Sequence, residues 1–133
     1  MQTEGMTKKT AKKTAKKAAQ NVPKAGIRIK VVLPGCSIGP GKIRLLELIG
    51  EKGSISAAAR ELGMSYRRAW HLIETLNQGL KSPVVETSVG GTRGGGAGLS
   101  KSGRALVKSF QALAGAAEKK SEKAMAEIKR LAK

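Results

Sequence analysis

The sequence predicts a mainly α-helical domain with one small β-hairpin, and three observations carry that prediction. Apolar residues recur at helical spacing through residues 42–79. Single glycines, Gly53 and Gly63, cut the run into short helices. A glycine-dense stretch at residues 89–98 separates two short strand-like segments. The 133 residues suit one domain with a modest core.

Residues 8–19, KKTAKKTAKKAA, repeat Lys, Ala and Thr with a period of four. Adjacent lysines repel and nothing there can be buried, so residues 1–26 read as a basic tail, disordered when free. Asn21, Pro23 and Gly26 mark its linker. Laid along phosphates the tail could turn helical, because Ala and Lys are good helix formers. The plainer alternative is a solubility tail. Residues 27–33, IRIKVVL, alternate apolar and basic side chains and then become apolar, which is strand-like. Pro34, Gly35, Gly39, Pro40 and Gly41 make the next stretch a loop. That loop is not a phosphate loop: Cys36 stands where the first Gly is required, and Ile43 where Ser or Thr is required.

A first helix is expected at 42–52, with Ile43, Leu45, Leu46, Leu48 and Ile49 on one side. A second, 56–62, is capped by Ser54 or Ser56 and closed by Gly63. Ser65 caps a third, 65–79, and Pro83 enforces a break. Two short helices joined by a tight Gly-containing turn form a helix-turn-helix, the motif that lays its second helix in the major groove of DNA. Ala58 and Ala59 permit close packing, and Leu62, Met64, Ala69, Ile73 and Leu76 supply a shared core.

At about 100° per residue, Ala69, Ile73 and Leu76 fall within about 60° of one another. Arg67, His71, Glu74 and Gln78 fall opposite, with Arg68 and Thr75 beside them. The helix start also aims amides at phosphate. Ser54, Ser56, Ser65, Tyr66, Arg67, Arg68 and His71 are therefore the candidate DNA contacts on the motif, and Arg can fork onto guanine O6 and N7. Tyr66 could equally be a core residue. Trp70, at the border of the apolar face, is expected in the core rather than stacked on a base.

Residues 84–88, VVETS, and the end of VGGTRGGGAGLS predict a hairpin over 84–99. Six glycines allow its loop to approach DNA closely, with Thr92 and Arg93 at the centre. Together these elements spell a winged helix-turn-helix. A dinucleotide-type GxGxxG is absent. Ser100 or Ser102 then starts one long helix, 100–132, with an apolar stripe of Leu106, Phe110, Leu113, Ala117, Ala124, Ile128 and Leu131. The stripe exceeds what the domain needs, so it is expected to dimerise with a second copy; packing on its own domain is the alternative.

Lys and Arg number 26 against nine acids, all Glu, for a net charge of +17. Residues 1–26 hold seven Lys against Glu4, leaving +11 for residues 27–133. A basic folded domain points to a polyanion. With one Phe, one Trp and one Tyr the chain lacks stacking platforms for single strands, which favours duplex DNA. A single Cys excludes an internal disulfide, and Cys36 is read as a loop residue or an interchain bridge under oxidation. His71 is the one His, so no metal site is expected, and no cofactor or nucleophile–base set is evident; the chain is not expected to be an enzyme. No apolar run approaches the roughly 18–20 residues of a membrane span, and no signal peptide is read. No membrane partner is expected, and a cytoplasmic, nucleoid-associated location follows.

The segment GSISAAARELGMSYRRAWHLIETLN, followed by GGTRGGGAGLSKSGRALV, closely resembles the N-terminal winged-helix domain of the molybdate-responsive transcription regulators (ModE), and more loosely that of LysR-type regulators. The match covers about residues 40–115. The resemblance implies a dimeric regulator with residues 65–78 in the major groove and residues 89–98 as the wing beside it. The family's C-terminal oxyanion-binding module has no counterpart in the residues after the match, so no small-molecule effector site is evident. The expected function is a transcription regulator that binds double-stranded DNA as a homodimer. The alternative is an architectural nucleoid protein of little sequence specificity.

Overall fold

A computed structural model describes residues 25–88 and 96–133. The order is β1 (Val31–Val32), β2 (Ser37–Ile38), α1 (Pro40–Lys52), α2 (Ile55–Leu62), α3 (Tyr66–Gly79), β3 (Val85–Ser88), β4 (Gly96–Leu99), α4 (Lys101–Lys120) and α5 (Glu122–Leu131). This is the mainly α, winged helix-turn-helix architecture that the sequence predicts.

The core is built around α1. Its Leu45, Leu46, Leu48 and Ile49 are at most 1% exposed, and they meet Ala58 of α2, Ile73 and Leu76 of α3, Val84, and Phe110 of α4. Helix boundaries follow local chemistry. α1 begins two residues before the expected start because Pro40 sits in its first turn, where a missing N–H costs nothing. It stops at Gly53, whose φ of 68° suits glycine, and whose N–H donates to the Ile49 carbonyl at 2.9 Å. Ser54, not Ser56, caps α2 by accepting from the Ala57 N–H at 3.1 Å. Gly63, also at φ 68°, closes it.

Two segments depart from the sequence reading. The strand expected over 27–33 is only Val31–Val32, and its partner lies inside the stretch read as loop. Val31 pairs with Ile38 and Val32 with Ser37. Ile38, 2% exposed, anchors this hairpin in the core, a single apolar residue hidden among glycines and prolines. The hairpin turn presses backbone on backbone: a Cβ on Gly35 would lie 2.9 Å from the Gly79 Cα. Cys36 packs over Gly79 from the same turn, half-buried beside the core.

The C-terminal run is not one helix but two, meeting at Ser121. There the Ser121 N–H donates to the Ala117 carbonyl at 3.0 Å and its hydroxyl to that of Glu118 at 3.0 Å. Phe110, expected at a dimer interface, is 7% exposed and belongs to the core of its own domain. α5 has no buried residue.

The β3–β4 hairpin pairs Val85 with Leu99 through to Ser88 with Gly96. It is moored at both ends. The Ala97 N–H donates to the Gly53 carbonyl at 3.0 Å, tying β4 to the end of α1. At its base the Val84 N–H donates to Asn77 Oδ1 at 2.9 Å, and the Ser100 N–H to the Val84 carbonyl at 3.0 Å. The buried Ser100 hydroxyl donates to the Pro83 carbonyl at 2.6 Å and accepts the Gly103 N–H at 3.0 Å.

Gly115 lies mid-α4 with open space where a Cβ would stand. Gly115→Ala is expected to stabilise the domain by about 0.5–1 kcal/mol, through reduced backbone entropy in the unfolded chain. Urea denaturation checks this.

Candidate nucleic-acid interface

Three elements converge on one face. The starts of α2 and α3 and the β3–β4 hairpin enclose an open cleft of about 360 Å³, lined by Ser54, Ile55, Ser56, Tyr66, Thr87, Ser88, Gly96 and Ala97. Two helix N-termini therefore open toward the hairpin. Their first amides carry partial positive charge that favours anions. Ser54 and Ser65 each spend a side-chain oxygen on a cap, Ser65 accepting from the Arg68 N–H at 3.1 Å. Ser56 is exposed and caps nothing.

α3 turns Ala69, Ile73 and Leu76 fully into the core, each 0% exposed. Arg67, Arg68, His71, Glu74 and Gln78 are exposed. Among the described residues, Arg67 and Arg68 make no ion pair, whereas Arg44, Lys52 and Arg130 do. Tyr66 is 53% exposed at the mouth of the cleft, which settles it outside the core. Trp70 corrects the sequence reading: it is 38% exposed rather than buried. The core-facing stripe of α3 is narrow, and a residue about 100° from Ala69 stands beyond its edge.

Sequence reasoning missed the hairpin's share of the cleft, Thr87, Ser88, Gly96 and Ala97. The strand pattern there was legible, but the register that sets them facing Ser54 depends on the distant bond from Ala97 to Gly53. Thr92 and Arg93, and Lys12, Lys13, Lys16 and Lys17, lie outside the described residues. Among the described residues no cluster of His, Cys, Asp or Glu could hold a metal ion, and no helix is long and apolar enough to cross a membrane.

Fold and face together define a winged helix-turn-helix domain. Residues 41–104 match the model of the bacterial regulatory helix-turn-helix protein, lysR family. This segment is a DNA-binding helix-turn-helix domain of the LysR type, homologous to the ModE and Mop proteins. The chain is 45% identical over 82 residues to the molybdenum-pterin-binding protein MopA of Rhodobacter capsulatus, covering 62% of this chain and 31% of that protein. It is 40% identical over 79 residues to the molybdenum transport protein ModE of Azotobacter vinelandii, covering 59% and 29%. It is 41% identical over 75 residues to the DNA-binding transcriptional dual regulator ModE of Escherichia coli K12, covering 56% and 29%. The matched region is thus about three tenths of each of these relatives.

Proposed function

We propose that this chain is a transcription regulator that reads duplex DNA as a homodimer, with α3 in the major groove and the β3–β4 wing beside it. The observation that carries the reading is the outer face of α3. Arg67, Arg68 and His71 stand exposed beside a cleft onto which the α2 and α3 N-termini open. Ser54, Ser56, Ser65 and Tyr66 line or flank that cleft and suit phosphate oxygens, which fix the register of a protein on DNA without reading sequence. Thr92 and Arg93 of the wing are assigned to the neighbouring groove. The tail lysines Lys12, Lys13, Lys16 and Lys17 are assigned to phosphate. This is a binding role rather than a catalytic one, and it places the protein with the chromosome. A genome-wide map of bound sites tests it: discrete sites sharing a motif are expected, and even coverage would contradict it.

The proposed dimer surface uses the exposed apolar groups of the last two helices: Leu113, 49% exposed, with Ile128 at 57% and Leu131 at 78%. Half-buried Leu106 and Ala117 and exposed Ala124 flank them. The double substitution Leu113→Glu, Leu131→Glu is expected to yield a monomer by sedimentation at micromolar concentration, with a folded circular dichroism spectrum. A wild-type monomer would sink the dimer.

One observation favours the second, architectural reading. Residues 40–99, which hold the reading face and wing, carry only +3 of the +17. Deleting residues 1–24 is expected to flatten log affinity for random duplex against log salt by about 0.9 per lost phosphate contact. An unchanged slope would remove the tail from DNA.

A further inference from the structure

α3 carries a single acid, Glu74, and it stands on the face assigned to DNA. Arg67, His71, Glu74 and Gln78 form one exposed row opposite the buried Ala69, Ile73 and Leu76. The fold gives this carboxylate no partner of its own. The residues three and four positions away on the helix are Trp70, His71, Asn77 and Gln78, none of them Lys or Arg. Among the described residues Glu74 makes no ion pair, whereas Glu47, Glu51, Glu61 and Glu127 each meet a cation. Its polar neighbours are engaged elsewhere: Asn77 accepts the Val84 N–H at 2.9 Å, and the Thr75 hydroxyl donates to the Leu72 carbonyl at 2.7 Å.

An unpaired carboxylate on a helix seated in the major groove meets two costs. It is repelled by the phosphates along both walls, and it gives up water. A donor on the groove floor offsets both. The floor offers two such donors, the N4 amino group of cytosine and the N6 amino group of adenine. They are not equivalent. Adenine N6 stands beside N7, an acceptor whose lone pair repels a carboxylate. Cytosine presents its amino group with no acceptor of its own beside it, so a Glu can accept from N4 without that penalty.

We propose that Glu74 is a specificity-determining residue that accepts a hydrogen bond from the N4 amino group of a cytosine. The proposal rests on α3 reading duplex DNA, and it names the base that one position of the site demands. Seven residues separate Glu74 from Arg67, about 10 Å of helix rise or on the order of three base steps. The two side chains therefore lie over different base pairs. The effect of Glu74 is opposite in sign to that of a phosphate contact. It lowers affinity for DNA in general and recovers the loss where cytosine is present, so it discriminates by penalising the wrong sequences.

The test is selection of bound duplexes from a randomised pool by the full chain, as the parent and as Glu74→Ala and Glu74→Gln. Glu74 is exposed and outside the core, so both variants are expected to keep the parent's circular dichroism spectrum. The parent is expected to enrich a motif in which one position prefers cytosine by at least about fivefold. Glu74→Ala is expected to bring the four bases at that position within about twofold of one another, with the other positions unchanged, and to bind random duplex more tightly. Glu74→Gln is expected to move the preference from cytosine to adenine, because an amide both accepts from N6 and donates to N7. A motif unaltered in Glu74→Ala would overturn the proposal and leave reading by α3 standing. Uniformly tighter binding with the same base preferences would also overturn it, and would assign Glu74 to repulsion of phosphate alone. So would relaxation at a position that prefers a base other than cytosine. A parent that enriches no motif would overturn reading by α3, and this proposal with it.

Discussion

Gly103→Ala is expected to destabilise the domain by about 3 kcal/mol, the largest loss anticipated from one methyl group in this protein. Gly103 lies in the first turn of α4, three residues past its cap Ser100. A Cβ there would run into the Val84 carbonyl oxygen, with the carbonyl carbon at 3.0 Å and the Cα at 3.3 Å. That oxygen already accepts the Ser100 N–H, and the Gly103 N–H is held by the Ser100 hydroxyl. Neither strand base nor helix start can retreat without breaking a buried hydrogen bond, and the obstacle is backbone, which cannot change rotamer. Each kcal/mol moves the midpoint of a domain this size by roughly 4–8 °C, so a fall on the order of 10–20 °C is expected. Gly115→Ala, in the same helix, moves the midpoint upward. A Gly103→Ala protein within 1 kcal/mol of the parent would contradict the close docking of hairpin base on α4.

The double substitution Arg67→Ala, Arg68→Ala is expected to weaken binding to a selected duplex by about five- to 150-fold per side chain that reads a base, about 1–3 kcal/mol each. Both guanidinium groups stand on the solvent side of α3, opposite the buried Ala69, Ile73 and Leu76, so their removal leaves the core untouched. An Arg that reads a base loses affinity on the selected site alone and relaxes preference at one position. An Arg that holds phosphate loses it equally on all sequences. Titration of each single variant on both duplexes separates the two roles. Unchanged affinity on both duplexes would remove α3 from the interface.

Much of this was legible in the sequence because the information is local. Ser65 and Gly63 mark helix ends by side-chain capping and by a left-handed turn, and the 3.6-residue period sorts α3 into core and outer faces. What failed was long-range. Ile38 pairs and buries only because the fold supplies a core above it. Phe110 belongs to an apolar stripe of α4, but periodicity cannot say whether its own domain or another copy covers it. Trp70 is apolar, but its angle on α3 carries it past the edge of the stripe that Ala69, Ile73 and Leu76 bury. The requirement for glycine at Gly103 had one signal, a lone glycine inside a helical pattern, whose partner Val84 lies 19 residues earlier in the chain.

The central claim, that α3 reads the sequence of duplex DNA, is tested most directly by competition between a selected duplex and a scrambled duplex of equal length for the full chain at physiological salt. The selected duplex is expected to bind at least ~10³-fold more tightly. A ratio near one would contradict the claim.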